Sequence, residues 1–209
     1  MVLESQFTYL REYLPTLSID ERIAYCESLG NIFEEIVSDP NVLFDERDCS
    51  LYRTVTIGNQ TWMAENLRYD IEGSYLNPKN PSLEYGRLYN WDAAMKAVPK
   101  GWHLPSDKEW TILQDSISGS EIEPAMKSIT DWNNNGNGTN TSGFNAFPAG
   151  NYYNSGSFYY LGADANFWSS TEYSGAVAWI RYLDYGNTGV YRFNFNKSNG
   201  YSCRCVKNI

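Results

Sequence analysis

The chain has 209 residues, enough to bury one substantial core with a smaller appendage. Its formal net charge of −9 at pH 7, with no clustered Lys or Arg, excludes a surface built for phosphate backbones or anionic lipid. No apolar run nears the roughly 20 residues of a membrane span, so direct membrane insertion is not expected.

The first stretch, MVLESQFTYLREYL, carries neither a basic nor an apolar segment of an export signal. Compartment is therefore not read from it; display on a cell or virion would need a preceding leader or another export route. A short helix is predicted around Leu3 to Leu14, ending before Pro15. Ser18-Ile-Asp-Glu21 then reads as a capping box. Behind it, Ile19, Ile23, Cys26, Phe33, Ile36 and Val37 fall at three- and four-residue steps along one helical stripe. A stripe identifies a buried face and not its partner. Residues 1–44 are thus a helical segment that either packs on the main domain or joins copies into an oligomer.

From about Asp45 the texture turns to short strands and turns. YRTVTIGNQTWMAENL alternates around a Gly-Asn pair and predicts a hairpin. Asn90 caps a helix WDAAMKAV that Pro99 and Gly101 close, and Ser106-Asp-Lys-Glu109 is a second capping box opening a helix through WTILQDSI. The stretch from Asp131 to Tyr160 is dense in turn-forming residues and reads as a long, largely irregular segment. Strands, two helices and a long aromatic strand region make the fold class α+β, with residues 45–209 as the main domain.

Aromatic residues form 16% of the chain, with 17 Tyr, amid abundant Asn, Gly and Ser, the palette of loop-rich binding surfaces. They concentrate in AWIRYLDYGNTGVYRFNFN, residues 178–196. With Gly186-Asn-Thr-Gly189 as a four-residue loop, Tyr185 faces Val190, Asp184 faces Tyr191, Tyr182 faces Phe193 and Ile180 faces Phe195. Ile180, Tyr182, Asp184, Tyr191, Phe193 and Phe195 then share one face. Trp179, Arg181, Leu183, Tyr185, Val190, Arg192, Asn194 and Asn196 share the other. Burying the first face would strand Asp184 without an evident partner, whereas the second offers Trp, Leu and Val to pack and Arg and Asn to bond loop carbonyls.

Several ordered motifs, YRTVTIGNQTWMAENLRYD, YGRLYNWDAAMKAVPKGWHLPSDKEW, GTNTSGFNAFPAG, FWSSTE and NKSNGYSCRCVK, resemble the Fibrobacter-type major paralogous domain over about residues 45–207. The resemblance implies a C-type-lectin-like fold of the formylglycine-generating-enzyme kind; residues 1–44, the N-terminal helical extension, lie outside it. The tail is also similar to the variable region of target proteins of diversity-generating retroelements: Ala178, Trp179, Arg181, Leu183, Tyr185, Val190, Arg192, Asn196, Lys197 and Gly200 match the fixed frame. That likeness implies that the residues between them are varied, and a packed core does not tolerate variation. The aromatic face is accordingly expected to point outward as a contact surface for a protein or other macromolecular ligand. Tyr182, Tyr191, Phe193 and Phe195 are its expected anchors, Ile180 and Asp184 its tuners, and Tyr173, Val177 and Asn187 its rim. Trp179, Arg181, Leu183, Tyr185 and Arg192 are the expected scaffold. An undiversified adhesion module of the same domain with a fixed ligand is the alternative.

Other chemistries fit less well. A calcium-dependent lectin site needs clustered carboxylate and amide oxygens, but Glu123-Pro124-Ala125 lacks the amide. A zinc site needs four well-spaced ligands, against one His and no CxxC. No metal or cofactor is expected. Cys26, Cys49, Cys203 and Cys205 read as buried or free thiols. Members of the resembled family often place a Cys before the Pro at 99, pairing with that of R-C-V; here Val98 stands there, so Cys205 loses that partner. An oxidase of the formylglycine-generating kind would need a reactive thiol pair with a nearby base, and none is evident. His103 reads as structural, because no nucleophile motif accompanies it. The protein is not expected to be an enzyme.

Overall fold

A computed structural model describes residues 2–117, 121–187 and 189–209, with side chains from Glu4 onward. The chain forms two compact units, Met1–Thr54 and Val55–Ile209. The boundary falls after the 44/45 change of texture because β1 (Val42–Asp45) and the start of β2 (Ser50–Ile57) pair with each other in the first unit. β2 then runs on into the second.

In the first unit, α1 (Val2–Tyr13) ends in a 3-10 turn at Leu14–Thr16. Ser18 opens α2 (Ile19–Leu29) with both bonds of the capping box in place, Glu21 N on Ser18 Oγ at 3.4 Å and Ser18 N on Glu21 Oε2 at 2.9 Å. The predicted single stripe does not hold. Gly30, at φ +51°, breaks the helix, and α3 (Asn31–Val37) starts afresh after it. Cys26 and Ile36 are buried with Phe7, Leu10, Leu14, Cys49 and Leu51, whereas Ile19 and Ile23 are left exposed.

The second unit is mixed helix and antiparallel sheet. β3 (Gln60–Met63) follows β2 across the Gly58 turn, and its far side takes the C-terminal strand β12 (Val206–Lys207). Two two-residue strands, β4 (Ser74–Tyr75) and β5 (Leu88–Tyr89), pair ahead of α4 (Trp91–Lys96), which Asn90 caps by accepting from Ala93 N at 2.8 Å. β6 (Trp102–His103) pairs with the free side of β12. α5 (Asp107–Ser116) opens on the second capping box, with Ser106 N on Glu109 Oε2 at 2.7 Å. α6 (Ile122–Met126) precedes the loop-rich stretch, which contains one small hairpin, β7 (Asn151–Tyr153) and β8 (Ser157–Tyr159). β9 (Asp164–Ser174), β10 (Val177–Asp184) and β11 (Tyr191–Asn196) form a three-stranded sheet in the order β11-β10-β9. Among the described residues no helix is long and apolar enough to cross a membrane.

The core of this unit is an aromatic cluster. Trp62, Trp110, Phe144 and Phe167 meet at centroid distances of 4.8–5.9 Å, joined by Leu113, Met126, Leu183 and Val206. Each such side chain stabilises the fold by about 1.5–3 kcal/mol relative to exposure. Because Phe167 and Leu183 come from β9 and β10, this burial fixes which face of the three-stranded sheet points inward.

Candidate functional site

Alternation along the three strands decides the rest. Ala165 and Phe167 of β9 and Arg181 and Leu183 of β10 point into the protein. Asp164, Asn166 and Trp168 of β9, Ile180, Tyr182 and Asp184 of β10, and Tyr191, Phe193 and Phe195 of β11 lie on the other face. They form cross-strand rungs: Asp164 beside Asp184, Asn166 beside Tyr182 and Tyr191, Trp168 beside Ile180 and Phe193. The expected register is off by two residues, since Tyr182 pairs with Tyr191 and Ile180 with Phe193. A shift of two keeps every side chain on its face, where a shift of one would have reversed them all.

The shift arises at the loop. β10 ends at Asp184, whose Oδ1 accepts from Gly186 N at 2.6 Å and Asn187 N at 3.0 Å, while Asn187 Nδ2 donates to Oδ2. Taking these amides starts the turn directly after Asp184, one residue earlier than expected, and the ladder stops at Tyr182–Tyr191; Thr188 within the loop lies outside the described residues. Lys127, ion-paired to Glu123 at 2.8 Å, donates to the Asp184 carbonyl at 2.8 Å and pins the strand end.

The framework face is bound tightly. The Arg181 side chain is 2% exposed and spends its guanidinium on α5, with Nη1 to Asp107 Oδ1 at 2.6 Å, Nη2 to Asp107 O at 3.0 Å and Nε to Gln114 Oε1 at 3.0 Å. Arg192 brings Nε to the same carboxylate at 2.9 and 3.0 Å and lays its guanidinium 3.3 Å from the Trp179 ring centroid. Burial pushes the Asp107 carboxyl up, but hydrogen bonds from Arg192 and Arg181 outweigh it and hold it below the ordinary range. Lys197 reaches Glu172 at 2.9 Å and sits over Trp91. His103 is held between Glu109 Oε1 and Asn208 Oδ1, both at 2.6 Å.

On the opposite face, Tyr191 and Phe193 are 38% and 47% exposed, and the rings of Tyr182, Tyr191, Phe193 and Phe195 run on from one another at 5.9–6.4 Å. Five expectations need correction. Ile180 is fully buried, because it sits in register between Trp168 and Phe193 while Tyr201 packs against Trp168 and Phe195. Asp184 is buried and is not stranded, since the loop amides are its partners. Tyr173 stands edge-on to Trp179 at 5.0 Å and so belongs to the framework side. Val177 is half-buried opposite Asn196, on the same side as Trp179. Tyr185, expected in the scaffold, is 40% exposed, because the strand has already ended.

Below the aromatic strip lies a groove of about 670 Å³. Tyr182, Phe193 and Phe195 form one side, with Asp184, Tyr185 and Asn187 at the loop end; Asn151, Tyr153, Tyr160, Asp164, Asn166 and Tyr201 complete it. None of these last six was marked in the sequence. The alternation of DANFWSS places Asp164 and Asn166 on the face of Trp168, but their meeting with Asn151 and Tyr153 depends on a bridge from Gly150 to Ala165 that no local pattern announces. Burial, and then the Asp184 charge, lift the Asp164 carboxyl to about 6; the Tyr182 hydroxyl, 3.4 Å from Asp164 Oδ1, opposes this.

That lift has a measurable consequence. Between pH 4 and 6 the folded chain holds the Asp164 proton while the unfolded chain has released it, so stability falls as pH rises through this window. Asp164→Asn removes the loss. It is expected to match the parent at about pH 4 and to exceed it at about pH 7 by an order of 2 kcal/mol, read from urea unfolding at the two pH values. A parent equally stable relative to the variant at both would contradict it.

Among the described residues, no group of three or more His, Cys, Asp or Glu is placed to hold a metal ion. All four cysteines are buried, and burial lifts the Cys26 thiol to about 12. Residues 55–207 match the family model described as the Fibrobacter succinogenes major domain. No curated protein and no solved structure matches the chain.

Proposed function

The chain belongs to the Fibrobacter succinogenes major domain family through residues 55–207, and from that premise we propose a ligand-binding protein that presents the outward face of the β10–β11 hairpin to a macromolecular partner. The carrying observation is the exposure of Tyr191 and Phe193 on an edge strand, in a continuous run of rings with Tyr182 and Phe195. A contiguous aromatic patch is a contact surface in the ordinary case, and Tyr-rich patches supply large contact area at small entropic cost. The reading includes a C-type-lectin-like fold for the second unit. Its support is the return of β12 beside β3, the two helices α4 and α5, and the loop-rich stretch that ends in the three-stranded sheet. An oligomer contact through the N-terminal helices would use the exposed Ile19, Ile23 and Ile32.

Within this proposal the protein is a variable target of a diversity-generating retroelement. Tyr182, Tyr191, Phe193 and Phe195 keep solvent access and are the positions of this face most open to change. Ile180 and Asp184 are not, and their burial favours the second reading, a module with a fixed ligand. Neighbouring DNA separates the two. A reverse transcriptase and a near-identical, adenine-substituted repeat would support diversification, with substitutions sparing the codons of Ile180 and Asp184; absence of both leaves the fixed ligand.

The contact surface itself is tested by selecting binders from a random protein library on the intact chain and measuring them on the Tyr191→Ala, Phe193→Ala double variant. The variant is expected to unfold within about 1 kcal/mol of the parent and to lose about 100-fold or more in affinity. Binders that hold both proteins equally would reject the surface.

A further inference from the structure

The groove beneath the aromatic strip joins three features that point to one ligand chemistry. Asp164 and Asp184 face each other in register at its loop end, and no Lys, Arg or His lines it among the described residues. Asp184 is occupied by its loop amides, so Asp164, 9% exposed, is the carboxylate left to meet a ligand. Beside it stand two amide side chains that are nine-tenths or more buried and incompletely bonded: Asn166, 3% exposed, with Nδ2 unpaired, and Asn151, 6% exposed, with Oδ1 unpaired. Buried polar atoms without partners are rare in folded chains and mark a place where something else completes them.

We propose that the groove is a socket for the ammonium or guanidinium tip of a Lys or Arg side chain carried by a protein ligand of the aromatic strip. This rests on the ligand-binding reading above. Asp164 supplies the opposite charge, and Asn151 Oδ1 accepts one of the remaining N–H bonds. Asn166 Nδ2 donates to a carbonyl of the incoming main chain. Tyr153, Tyr160 and Tyr182 also line the groove, and aromatic rings attract a cation through their quadrupoles. A neutral polyol would satisfy the two amides and leave the carboxylate pair without countercharge. The net charge of −9 favours the approach of basic partners in the same sense.

The pH dependence follows from what surrounds Asp164: Asp184 and the Tyr182 phenol from β10, Tyr153 from β7, and Tyr201 from the C-terminal segment. Its carboxyl titrates at about 6. It is therefore charged at about pH 7.5 and neutral by about pH 5, and a cation is held less well as pH falls.

The probe is N-acetyl-arginine methylamide, titrated into the intact chain at about pH 7.5 and followed by the NMR signals of the groove aromatics, with N-acetyl-citrulline methylamide as the neutral isostere. Saturable arginine binding is expected, about tenfold or more weaker for citrulline, for Asp164→Asn, and for the parent at about pH 5. Equal binding of the two amides, or an arginine affinity indifferent to Asp164→Asn and to pH, overturns the socket. The pH series on the parent carries the test should Asp164→Asn fail to fold. Library binders lost on Tyr191→Ala, Phe193→Ala yet unaffected by Asp164→Asn would sink the socket and leave the strip intact. Arginine binding in the groove with no binder dependent on Tyr191 and Phe193 would do the reverse.

Discussion

Arg204→Met is expected to cost about 4 kcal/mol or more of unfolding free energy, measured by urea denaturation, and Arg204→Lys about half as much. Arg204 is fully buried and the groups it serves are far away in sequence: Nε donates to Asn66 Oδ1 at 2.6 Å, Nη1 to Met63 O at 3.1 Å and Phe144 O at 2.5 Å, and Nη2 to Asn145 O at 2.8 Å. Its guanidinium also lies 4.8 Å from the Phe144 ring centroid and 5.6 Å from that of Phe167. Burial lowers its pKa to about 9, with the Glu65 charge opposing, which reflects how strongly this site resists a bare cation. Exchanging a buried charge for an apolar side chain can be harmless when all its partners leave together. Here three of the four partners are main-chain carbonyls that stay behind, each losing this hydrogen bond, and the fourth is the buried Asn66 side chain. Lysine keeps the charge but cannot spread donors over four directions. A methionine variant within about 1 kcal/mol of the parent would mean that those carbonyls have other donors.

Arg204 also shows where the sequence stops being legible. The features read correctly are local: both capping boxes and the Asn90 cap involve residues three apart, so spacing alone contains them. The two faces of the hairpin survive for a similar reason, since alternation is a local property and the register error was even. Arg204's four acceptors lie 59–141 residues away, and nothing in R-C-V names them. Ile180 is hidden by the same kind of distance, because Tyr201, which packs on its neighbours Trp168 and Phe195, arrives only after β11 has been completed. The aromatic-rich tail therefore marked the strip but not the groove, whose Asn151, Tyr153 and Tyr160 belong to the stretch that reads as irregular. Asp184 is different. An Asp two residues before Gly-Asn is the pattern of a side chain accepting loop amides, so its burial is written in the local sequence and needs no distant partner.

Asp107→Ala is expected to destabilise the protein by about 3 kcal/mol and to weaken strip-dependent binding with it. Asp107 is the first residue of α5 and the shared counterion of Arg181 and Arg192, one from each strand of the hairpin. Removing it leaves the Arg181 guanidinium, 2% exposed, with Gln114, Thr111 and one carbonyl but no opposite charge. Arg192 is 46% exposed and water replaces its partner at little cost. A double-mutant cycle distinguishes the two contacts: coupling of Asp107→Ala with Arg181→Ala should exceed about 2 kcal/mol, and with Arg192→Ala stay near or below 1 kcal/mol. Additive energies for the Arg181 pair would reject the clasp. The sign with pH is also fixed. Because Asp107 titrates below its ordinary value, its contribution is present above the unfolded pKa and is lost as pH falls through the lower folded one. The functional consequence follows from geometry. Both arginines lie on the face opposite Tyr182 and Phe193, in the rung Arg181–Arg192 that sits between Tyr182–Tyr191 and Ile180–Phe193. Tying that rung to a helix N-terminus holds the two strands in register from behind, which under the proposed ligand-binding reading lets the exposed side chains in front be chosen for a ligand rather than for the fold.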